Sequence, residues 1–204
     1  MKRIIYLWAM LWALAHGQTP DWKSLPVDLV VPEVTEGPAS PGKRVRLTSP
    51  GWAETKVHHL LHLPSDWRSG VSYPVLIEYP GNGPYADARG DTCDGRVEGC
   101  ALGYGIGAGR GFIWASLPFV ESKDGVLQNA AKWWPDVAAS KRYTIDTVKD
   151  ICARYGGDAR RVILCGFSRG SIGCQFIGMH DDEIAKLWWL CLSQSLRWCA
   201  LLAL

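Results

Sequence analysis

The chain has 204 residues, of which 48% are hydrophobic and 21% are charged, and its formal net charge is +2 at pH 7. This composition excludes a disordered chain and leaves enough residues for one domain with a buried core. Because the charge is nearly balanced, we expect neither a nucleic-acid partner nor a membrane-surface partner.

The first seventeen residues have the pattern of a secretory signal peptide. Lys2 and Arg3 precede an apolar stretch from Ile4 to Ala15, and small residues precede the expected cleavage before Gln18. The apolar stretch has about twelve residues and the bilayer requires roughly twenty, which disfavours the alternative of a membrane anchor. The sequence therefore predicts a secreted or periplasmic protein.

Residues 18–54 follow and show no helical period. This segment is rich in proline, valine and serine, and it contains Pro26, Pro32, Pro38 and Pro41. Such a composition predicts an extended arm across the surface, without a catalytic role.

Two apolar segments predict the first strands of the domain, which we place at residues 55–187. They are residues 56–64, KVHHLLHLP, and residues 73–79, YPVLIEY. The polar stretch between them predicts a hairpin. The spacing of the histidines places His58 and His62 on one strand face and His59 on the other, so we expect structural histidines and no metal site.

The second of these segments is followed by Pro80, Gly81, Asn82 and Gly83. The glycines allow bare backbone to approach a substrate closely, and an N–H group of this loop could stabilise an oxyanion. The alternative is an ordinary turn of the Pro-Gly-Asn-Gly type.

The chain has seven cysteines. Cys93 and Cys100 flank a short glycine-rich loop, and an exported protein meets an oxidising compartment, which predicts a disulfide between them. Cys165 has the position of a buried thiol, whereas Cys152 and Cys174 could pair only if their helices face each other. The odd number leaves at least one cysteine unpaired.

The second half of the domain alternates strands and helices. Residues 112–120 predict a third strand, and residues 141–155 predict a helix whose apolar face holds Ile145, Val148, Ile151 and Cys152, with a stop at Gly156-Gly157. A strand at residues 161–165 and a helix from residue 168 to about 179 complete the series. This order is typical of an α/β fold with a mainly parallel sheet and flanking helices.

The junction between the last strand and the last helix carries the motif Gly-X-Ser-X-Gly, with Gly166, Ser168 and Gly170 in the segment VILCGFSRGS. A sharp turn at this place lifts the serine hydroxyl out of the sheet, and only glycine lets the neighbouring backbone pass. The N–H of Arg169, at the start of the helix, points to where an oxyanion would develop. Ser168 is therefore the predicted nucleophile, and the alternative is a surface serine between glycines.

Three segments, VLIEYPGNG, YGGDARRV and ILCGFSRGS, resemble the α/β-hydrolase superfamily, in particular secreted serine esterases of the polyhydroxyalkanoate depolymerase and feruloyl esterase type. The resemblance covers roughly residues 55–187. It implies Ser168 as nucleophile, an oxyanion hole formed by Arg169 and the loop from Gly81 to Gly83, and hydrolysis of a small-molecule or polymeric carboxylic ester without a metal or other cofactor. Oligomeric state is not indicated by the sequence.

In that superfamily the catalytic acid and histidine follow the serine, but His180 is the only later histidine and it precedes the acids of its segment. It would lie about 18 Å along the helix axis from Ser168, too far for proton transfer. Residues 188–204 form an apolar tail, rich in Trp, Leu and Cys, that is atypical of a hydrolase strand and loop. Because plausible codons for this tail, read one nucleotide later, can encode a phrase with Ser-X-Tyr-Asp-Gly, we hypothesise a frameshift that truncates the hydrolase and impairs its catalysis. A terminal amphipathic helix is the alternative.

Two other outcomes compete with the impaired hydrolase. In the first, the chain is a non-catalytic secreted binding or remnant domain in which Trp133, Trp134 and Tyr143 offer a surface that stacks on carbohydrate or polymer. In the second, the incomplete sheet leaves an open apolar edge and the product does not fold stably.

Overall fold

The computed structural model describes residues 29–88 and 92–194. The chain divides into two units after Val30, and every element named below belongs to the second unit, which begins at Val31. The predicted signal peptide and residues 195–204 of the predicted tail lie outside the described residues. Within the described ranges, no helix has the length and apolar character needed to cross a membrane.

The secondary structure alternates short strands with four helices over the described ranges. The strands are β1 (Val34–Thr35), β2 (Arg44–Leu47), β3 (His59–His62), β4 (Tyr73–Tyr79), β5 (Tyr85–Ala86), β6 (Thr92–Cys93), β7 (Ile113–Ser116), β8 (Phe119–Lys123), β9 (Val126–Ala130), β10 (Gly157–Phe167) and β11 (Leu190–Gln194). The helices are α1 (Leu102–Gly107), α2 (Val137–Tyr155), α3 (Arg169–Phe176) and α4 (Asp182–Ala185), with a 3₁₀ turn at Val97–Gly99.

Seven strands form the main sheet, in the order β1-β2-β3-β7-β4-β10-β11. Strands β7, β4, β10 and β11 run parallel to one another, whereas β3 is antiparallel to both of its neighbours. The pairs β5-β6 and β8-β9 form two small separate sheets. This mostly parallel sheet with flanking helices confirms the predicted α/β fold.

The central strands are buried on both faces, as expected for parallel strands covered by helices. In β4, Val75 and Ile77 belong to the main core cluster together with residues of α2, whereas Leu76 packs on the opposite face with Trp114. The predicted apolar face of α2 is buried in that main core, and Gly156 ends the helix with φ 77°. Helix α2 begins four residues earlier than predicted.

The earlier start of α2 has a specific cause. The side chain of Asp136 accepts a hydrogen bond from the N–H of Ala139 at 2.8 Å, so Asp136 is the N-cap. An aspartate in this position satisfies one of the unpaired N–H groups of the first turn. The helix therefore begins at Val137.

The predicted hairpin between residues 56–64 and 73–79 is wrong. Strand β7 lies between β3 and β4, antiparallel to β3 and parallel to β4. The connection between β3 and β4 covers residues 63–72, which is longer than the roughly two to five residues of a hairpin loop. This connection is therefore long enough to pass the place between β3 and β4 that β7 occupies in the sheet.

Strands of the main sheet also form in two segments where the sequence predicted none. Part of the predicted surface arm forms β2, whose Val45 is fully buried and pairs with Leu61 of β3. Part of the predicted atypical tail forms β11, which pairs with β10 so that Leu190 lies beside Ile163. Strand β2 obtains backbone hydrogen bonds from β3, which follows it in the chain after a long connection, and β11 obtains them from β10, which precedes α3 and α4. Local composition does not show either pairing.

Candidate active site

Ser168 lies between the end of β10 and the start of α3. Its backbone has φ 53° and ψ −115°, a combination that residues with a Cβ rarely adopt. The residue is half-buried and lines a cavity of about 250 Å³. The sharp turn that the sequence predicts at Ser168 is therefore present in the structure.

The two glycines of the motif allow close contact between backbone segments. A Cβ on Gly166 would lie 2.4 Å from the carbonyl carbon of Gly170. A Cβ on Gly170 would lie 2.1 Å from the carbonyl oxygen of Tyr79, at the end of β4. Because both distances are far below van der Waals contact, any larger residue would force α3 away from the strands.

Aromatic and aliphatic side chains form most of the cavity beside Ser168. Besides Ser168 and Arg169, the lining residues are Asn82, Pro84, Tyr85, Cys93, Trp133, Phe167 and Ile172. Such a cavity, apolar with a few polar groups beside the reactive atom, is the usual form of a small-molecule site.

Three N–H groups near the turn at Ser168 are candidates for the predicted oxyanion hole. Arg169 is the first residue of α3, where the N–H has no partner within the helix. The N–H groups of Gly81 and Asn82 have no hydrogen-bond partner within the described part of the chain. A Cβ on Gly81 would lie 3.6 Å from the carbonyl oxygen of Phe167, so this loop adjoins the turn at Ser168.

Gly83, the third residue of the predicted oxyanion loop (residues 81–83), has a different role. Its N–H donates to the carbonyl of Ala131 at 3.0 Å and is therefore not free to bind an oxyanion. A Cβ on Gly83 would lie 2.0 Å from the carbonyl oxygen of Asp94. Gly83 is required for packing, and its predicted role as a donor is corrected.

The side chain of Arg169 joins the loops around the site, which sequence analysis did not predict. Arg169 is 1% exposed, and its guanidinium lies 4.7 Å from the centre of the Phe119 ring. Burial lowers the pKa of this guanidinium to about 10. Its four acceptors are backbone carbonyls: Pro80 (3.4 Å), Ala130 (3.4 Å), Trp133 (2.9 Å) and Gly95 (3.0 Å).

A second buried charged residue, Glu78, anchors the end of β4. Its carboxylate accepts hydrogen bonds from Nε1 of Trp114 and from three N–H groups, those of Ala101, Leu102 and Gly103. Burial raises the pKa of Glu78, whereas these donors lower it. The contacts fix the strand two residues before Pro80, and thus the start of the oxyanion loop.

The four histidines in the described residues have partners other than Ser168. His58 contacts Glu98 at 3.0 Å, His59 contacts the hydroxyl of Tyr143 at 2.8 Å, the His62 ring lies 5.3 Å from the Tyr104 ring, and the His180 ring lies 6.2 Å from the Phe176 ring. No hydrogen bond joins any of these imidazoles to the Ser168 hydroxyl. The described residues therefore place the predicted nucleophile beside the predicted oxyanion loop, and none of the described histidines is hydrogen-bonded to Ser168.

Two of these histidines are buried on opposite faces of β3. His59 faces α2 and His62 faces α1, and each is 2% exposed. Burial lowers the pKa of His59 to about 3 and that of His62 to about 4. Both imidazoles are therefore neutral core residues at pH 7.

The predicted disulfide between Cys93 and Cys100 is not formed, and both are free thiols. The sulfur of Cys93 lies 2.7 Å from where a Cβ of Gly81 would be, so it is directed at the oxyanion loop. Cys100 is 5% exposed and packs with Trp114, and burial raises the pKa of its thiol. The other cysteines in the described residues, Cys152, Cys165, Cys174 and Cys191, are also free thiols.

The three aromatic residues predicted to form a stacking surface are not all at the surface. Trp133 is 56% exposed and Trp134 is half-buried. Tyr143 is fully buried in a core cluster that includes Trp52, with the two rings 5.0 Å apart. Tyr143 is therefore a core residue, and this part of the prediction is wrong.

Solved structures match part of this chain at low sequence identity. Esterase 2 of Thermogutta terrifontis phosphorylated by paraoxon is 14% identical with a TM-score of 0.50, and the match covers 78% of this chain and 59% of that one. The carboxylesterase Cest-2923 of Lactobacillus plantarum is 20% identical with a TM-score of 0.45 over 70% of this chain and 48% of that one. Dipeptidyl peptidase 4 of Porphyromonas gingivalis is 13% identical with a TM-score of 0.47 over 74% of this chain and 20% of that one.

No family model and no curated protein sequence matches this chain. The chain spans between 20% and 59% of the length of the three structures described. The likeness to the esterase of Thermogutta terrifontis, together with the mainly parallel sheet, shows the fold. The described residues therefore have the α/β-hydrolase fold, in a partial form.

Proposed function

We propose that this chain is a serine hydrolase that acts on carboxylic esters, with Ser168 as the nucleophile. The observation that carries the proposal is the strained backbone of Ser168 beside an apolar cavity, at the junction of a parallel strand and a helix. Strain of this kind persists only where the surrounding structure enforces it, and it clusters at active sites.

The proposed reaction proceeds through an acyl-enzyme. The Ser168 oxygen attacks the ester carbonyl carbon and loses its proton to a base, and the carbonyl oxygen becomes an oxyanion. Collapse of this tetrahedral intermediate breaks the bond to the leaving oxygen, which takes up the proton from the base and departs as the alcohol. Water then attacks the acyl-enzyme, releases the carboxylic acid and restores the Ser168 hydroxyl.

The oxyanion is stabilised by N–H groups of Arg169, Gly81 and Asn82. In hydrolases, removing one such donor raises the barrier by about 2.7 to 4 kcal/mol. Because the donors are backbone groups held by Arg169 and Glu78 contacts, they are preorganised before substrate binds. The buried Arg169 side chain thus supports the loop that carries two of the donors.

We further propose that turnover by this chain is weak. A serine without an adjacent base is a poor nucleophile at neutral pH, and no described histidine contacts Ser168. The frameshift hypothesis offers a genetic origin for this impairment. Sequencing the coding region tests that origin, since an intact reading frame through the stop codon would remove it.

The finer class that we propose is a secreted esterase of the polyhydroxyalkanoate depolymerase and feruloyl esterase type. The support is the three motifs VLIEYPGNG, YGGDARRV and ILCGFSRGS, and the substrate would be a small-molecule or polymeric ester. Export would depend on the predicted signal peptide. N-terminal sequencing of exported protein should then begin at Gln18, and retention of Met1 would contradict export by this route.

Covalent labelling with a fluorophosphonate tests the nucleophile. We expect slow modification of the wild-type protein, mapped to Ser168 by mass spectrometry, and none in Ser168→Ala. Ser171→Ala is the matched control because Ser171 is buried in α3 and does not line the cavity. Labelling at another residue, or none at any concentration, would contradict the proposed nucleophile.

The pH dependence of labelling tests the missing base. Without a histidine beside Ser168, the rate should rise steadily with hydroxide concentration and show no inflection near pH 7. Fast labelling with such an inflection would show that a histidine does activate Ser168, and would overturn the proposed impairment.

A second candidate function is binding of a polymer without catalysis, which the exposure of Trp133 favours. Retention on insoluble polyester or polysaccharide by both the wild-type protein and Ser168→Ala, with no labelling of Ser168, would support this alternative. Loss of retention in both would contradict it.

A further inference from the structure

Trp133 forms one wall of the cavity beside Ser168, and its backbone conformation is unusual. Its φ is 48°, in the left-handed region that a bulky aromatic residue rarely adopts. The residue is also 56% exposed, so its strain is not compensated by burial in the core. Strained residues that the surrounding structure holds in place are candidates for a role in the site.

Two polar side chains hold the backbone of Trp133 from both sides. The N–H of Trp133 donates to Oδ1 of Asn82 at 2.9 Å, and its carbonyl accepts from Nη1 of Arg169 at 2.9 Å. Asn82 belongs to the oxyanion loop, and Arg169 directly follows Ser168. The conformation of Trp133 is therefore tied to the groups that surround the proposed reaction centre.

The indole ring of Trp133 has a packed support. It meets the ring of Trp134 edge to face, with centres 5.7 Å apart and planes at 82°. Trp134 in turn packs against Phe119 at 5.7 Å and Phe176 at 5.1 Å. This support connects an exposed ring to the core, which limits its motion while it lines the cavity.

The size and lining of the cavity suit a flat apolar group. Its volume is about 250 Å³, and an apolar cavity of about 150 Å³ holds a benzene ring in another protein. Tyr85, Phe167 and Ile172 line it together with Trp133, and no Asp or Glu of the described residues does so. An aromatic ring beside the attacked carbonyl could therefore stack on the indole.

We propose that Trp133 is the specificity-determining residue of this cavity, stacking on a planar apolar group next to the carbonyl that Ser168 attacks. Asn82 and the guanidinium of Arg169 are positioning residues that hold Trp133 in its strained conformation. The identity of the attacked carbonyl rests on the proposed function, but the stacking does not require a reactive Ser168.

The test uses the variant Ser168→Ala and two esters that differ in the shape of the ring, ethyl benzoate and ethyl cyclohexanecarboxylate. Dissociation constants are measured by ligand-observed NMR. We expect the benzoate ester to bind about three- to tenfold more tightly, because a flat ring stacks on an indole and a puckered ring does not. This preference should disappear when Trp133→Ala is added and remain in part with Trp133→Phe.

A matched control is Trp189→Ala, which removes a tryptophan that is 68% exposed and does not line the cavity. It should leave the preference unchanged. Should Trp133→Ala fail to fold, as judged by circular dichroism, Trp133→Leu replaces it, since leucine keeps an apolar side chain without a flat ring.

The positioning role of Asn82 has its own variant pair. Asn82→Ala removes the acceptor for the Trp133 N–H and should reduce the preference, whereas Asn82→Asp keeps an acceptor oxygen and should restore it. A merely structural effect would weaken both esters equally and leave their ratio unchanged.

Two results would overturn the inference: equal affinity for the two esters in Ser168→Ala, or a preference that survives Trp133→Ala. These results are separate from the labelling of Ser168. A protein that shows the Trp133-dependent preference but no labelling would contradict the proposed hydrolase and leave the stacking site established.

Discussion

The turn at Ser168 and strand β3 both carry residues typical of catalysis, but the structure treats them in opposite ways. Ser168 is held in a strained conformation at the edge of a cavity. His59 and His62 lie inside the core, where burial lowers their pKa values to about 3 and 4. A residue type therefore indicates chemistry only where the backbone presents it to a cavity with suitable neighbours.

The largest effect on stability is expected from adding a side-chain atom at the tight turn around Ser168. Gly170→Ala places a Cβ 2.1 Å from the carbonyl oxygen of Tyr79, and we expect the free energy of unfolding in urea to fall by at least about 3 kcal/mol. Gly105→Ala is the control, because nothing lies within 4 Å of its Cβ in α1. There we expect no loss, and a gain of up to about 1 kcal/mol. Equal unfolding midpoints for the two variants would show that the turn tolerates more volume than the structure allows.

The second largest effect that we expect is a loss of stability in mild acid, which the buried histidines cause. Burial holds the folded-state pKa of His59 at about 3, below the ordinary histidine value of 6.5. Between these values the unfolded chain binds more protons than the folded chain, so stability is complete above pH 6.5 and falls as the pH decreases. The limiting slope is about 1.4 kcal/mol per pH unit for each such histidine.

Urea unfolding at several pH values between 6 and 4.5 measures this slope. We expect His59→Gln to reduce it and His180→Gln, at an exposed position, to leave it unchanged. A slope that is the same in His59→Gln as in the wild type would mean that His59 is not buried as a neutral imidazole.

Relief of backbone strain at Ser168 should increase the free energy of unfolding, and this increase should be smaller than the losses expected above. Ser168→Gly removes the Cβ at φ 53° and should increase the free energy of unfolding by about 1 kcal/mol, while it abolishes labelling. Ser171→Gly, three residues later inside α3, should decrease it by about 0.5 kcal/mol because glycine disfavours a helix more than serine does. Destabilisation by Ser168→Gly would contradict the strain argument.

The smallest effect concerns the two thiols near the oxyanion loop. Half-buried Cys93 lines the Ser168 cavity, whereas Cys100 is buried and its thiol pKa is raised. Iodoacetamide should therefore modify Cys93 before Cys100 in the folded protein, as read by peptide mass mapping. Recovery of a peptide pair joined by a Cys93–Cys100 disulfide would reinstate the sequence-based prediction.

Local patterns in the sequence were sufficient for several elements. The turn at Ser168 follows from two glycines around a serine, between an apolar strand and a helix. The buried face of α2 follows from the spacing of Ile145, Val148 and Ile151, and the end of that helix follows from Gly156. In each case the residues that carry the signal lie only a few positions apart in the chain.

Other features had no local signal. Strands β2 and β11 lie in segments whose composition suggested an arm and an atypical tail, and β7 separates two strands that were expected to form a hairpin. Gly83 lies in a glycine-rich loop whose composition suggested an oxyanion loop, but its N–H donates a hydrogen bond to the carbonyl of Ala131. Glu78 lies within a predicted strand. Nothing near it in sequence indicates that its carboxylate accepts hydrogen bonds from the N–H groups of residues 101–103.

The α/β fold class and the sharp turn that presents Ser168 could be predicted from the sequence, because both depend on periodicity and on glycines a few residues apart. The tertiary structure alone decided what surrounds Ser168. The Arg169 guanidinium finds carbonyl partners that are 36 to 89 residues away in the chain, among them Trp133. A buried cation must have its donors satisfied, and the loops that satisfy them come together only when the sheet is assembled.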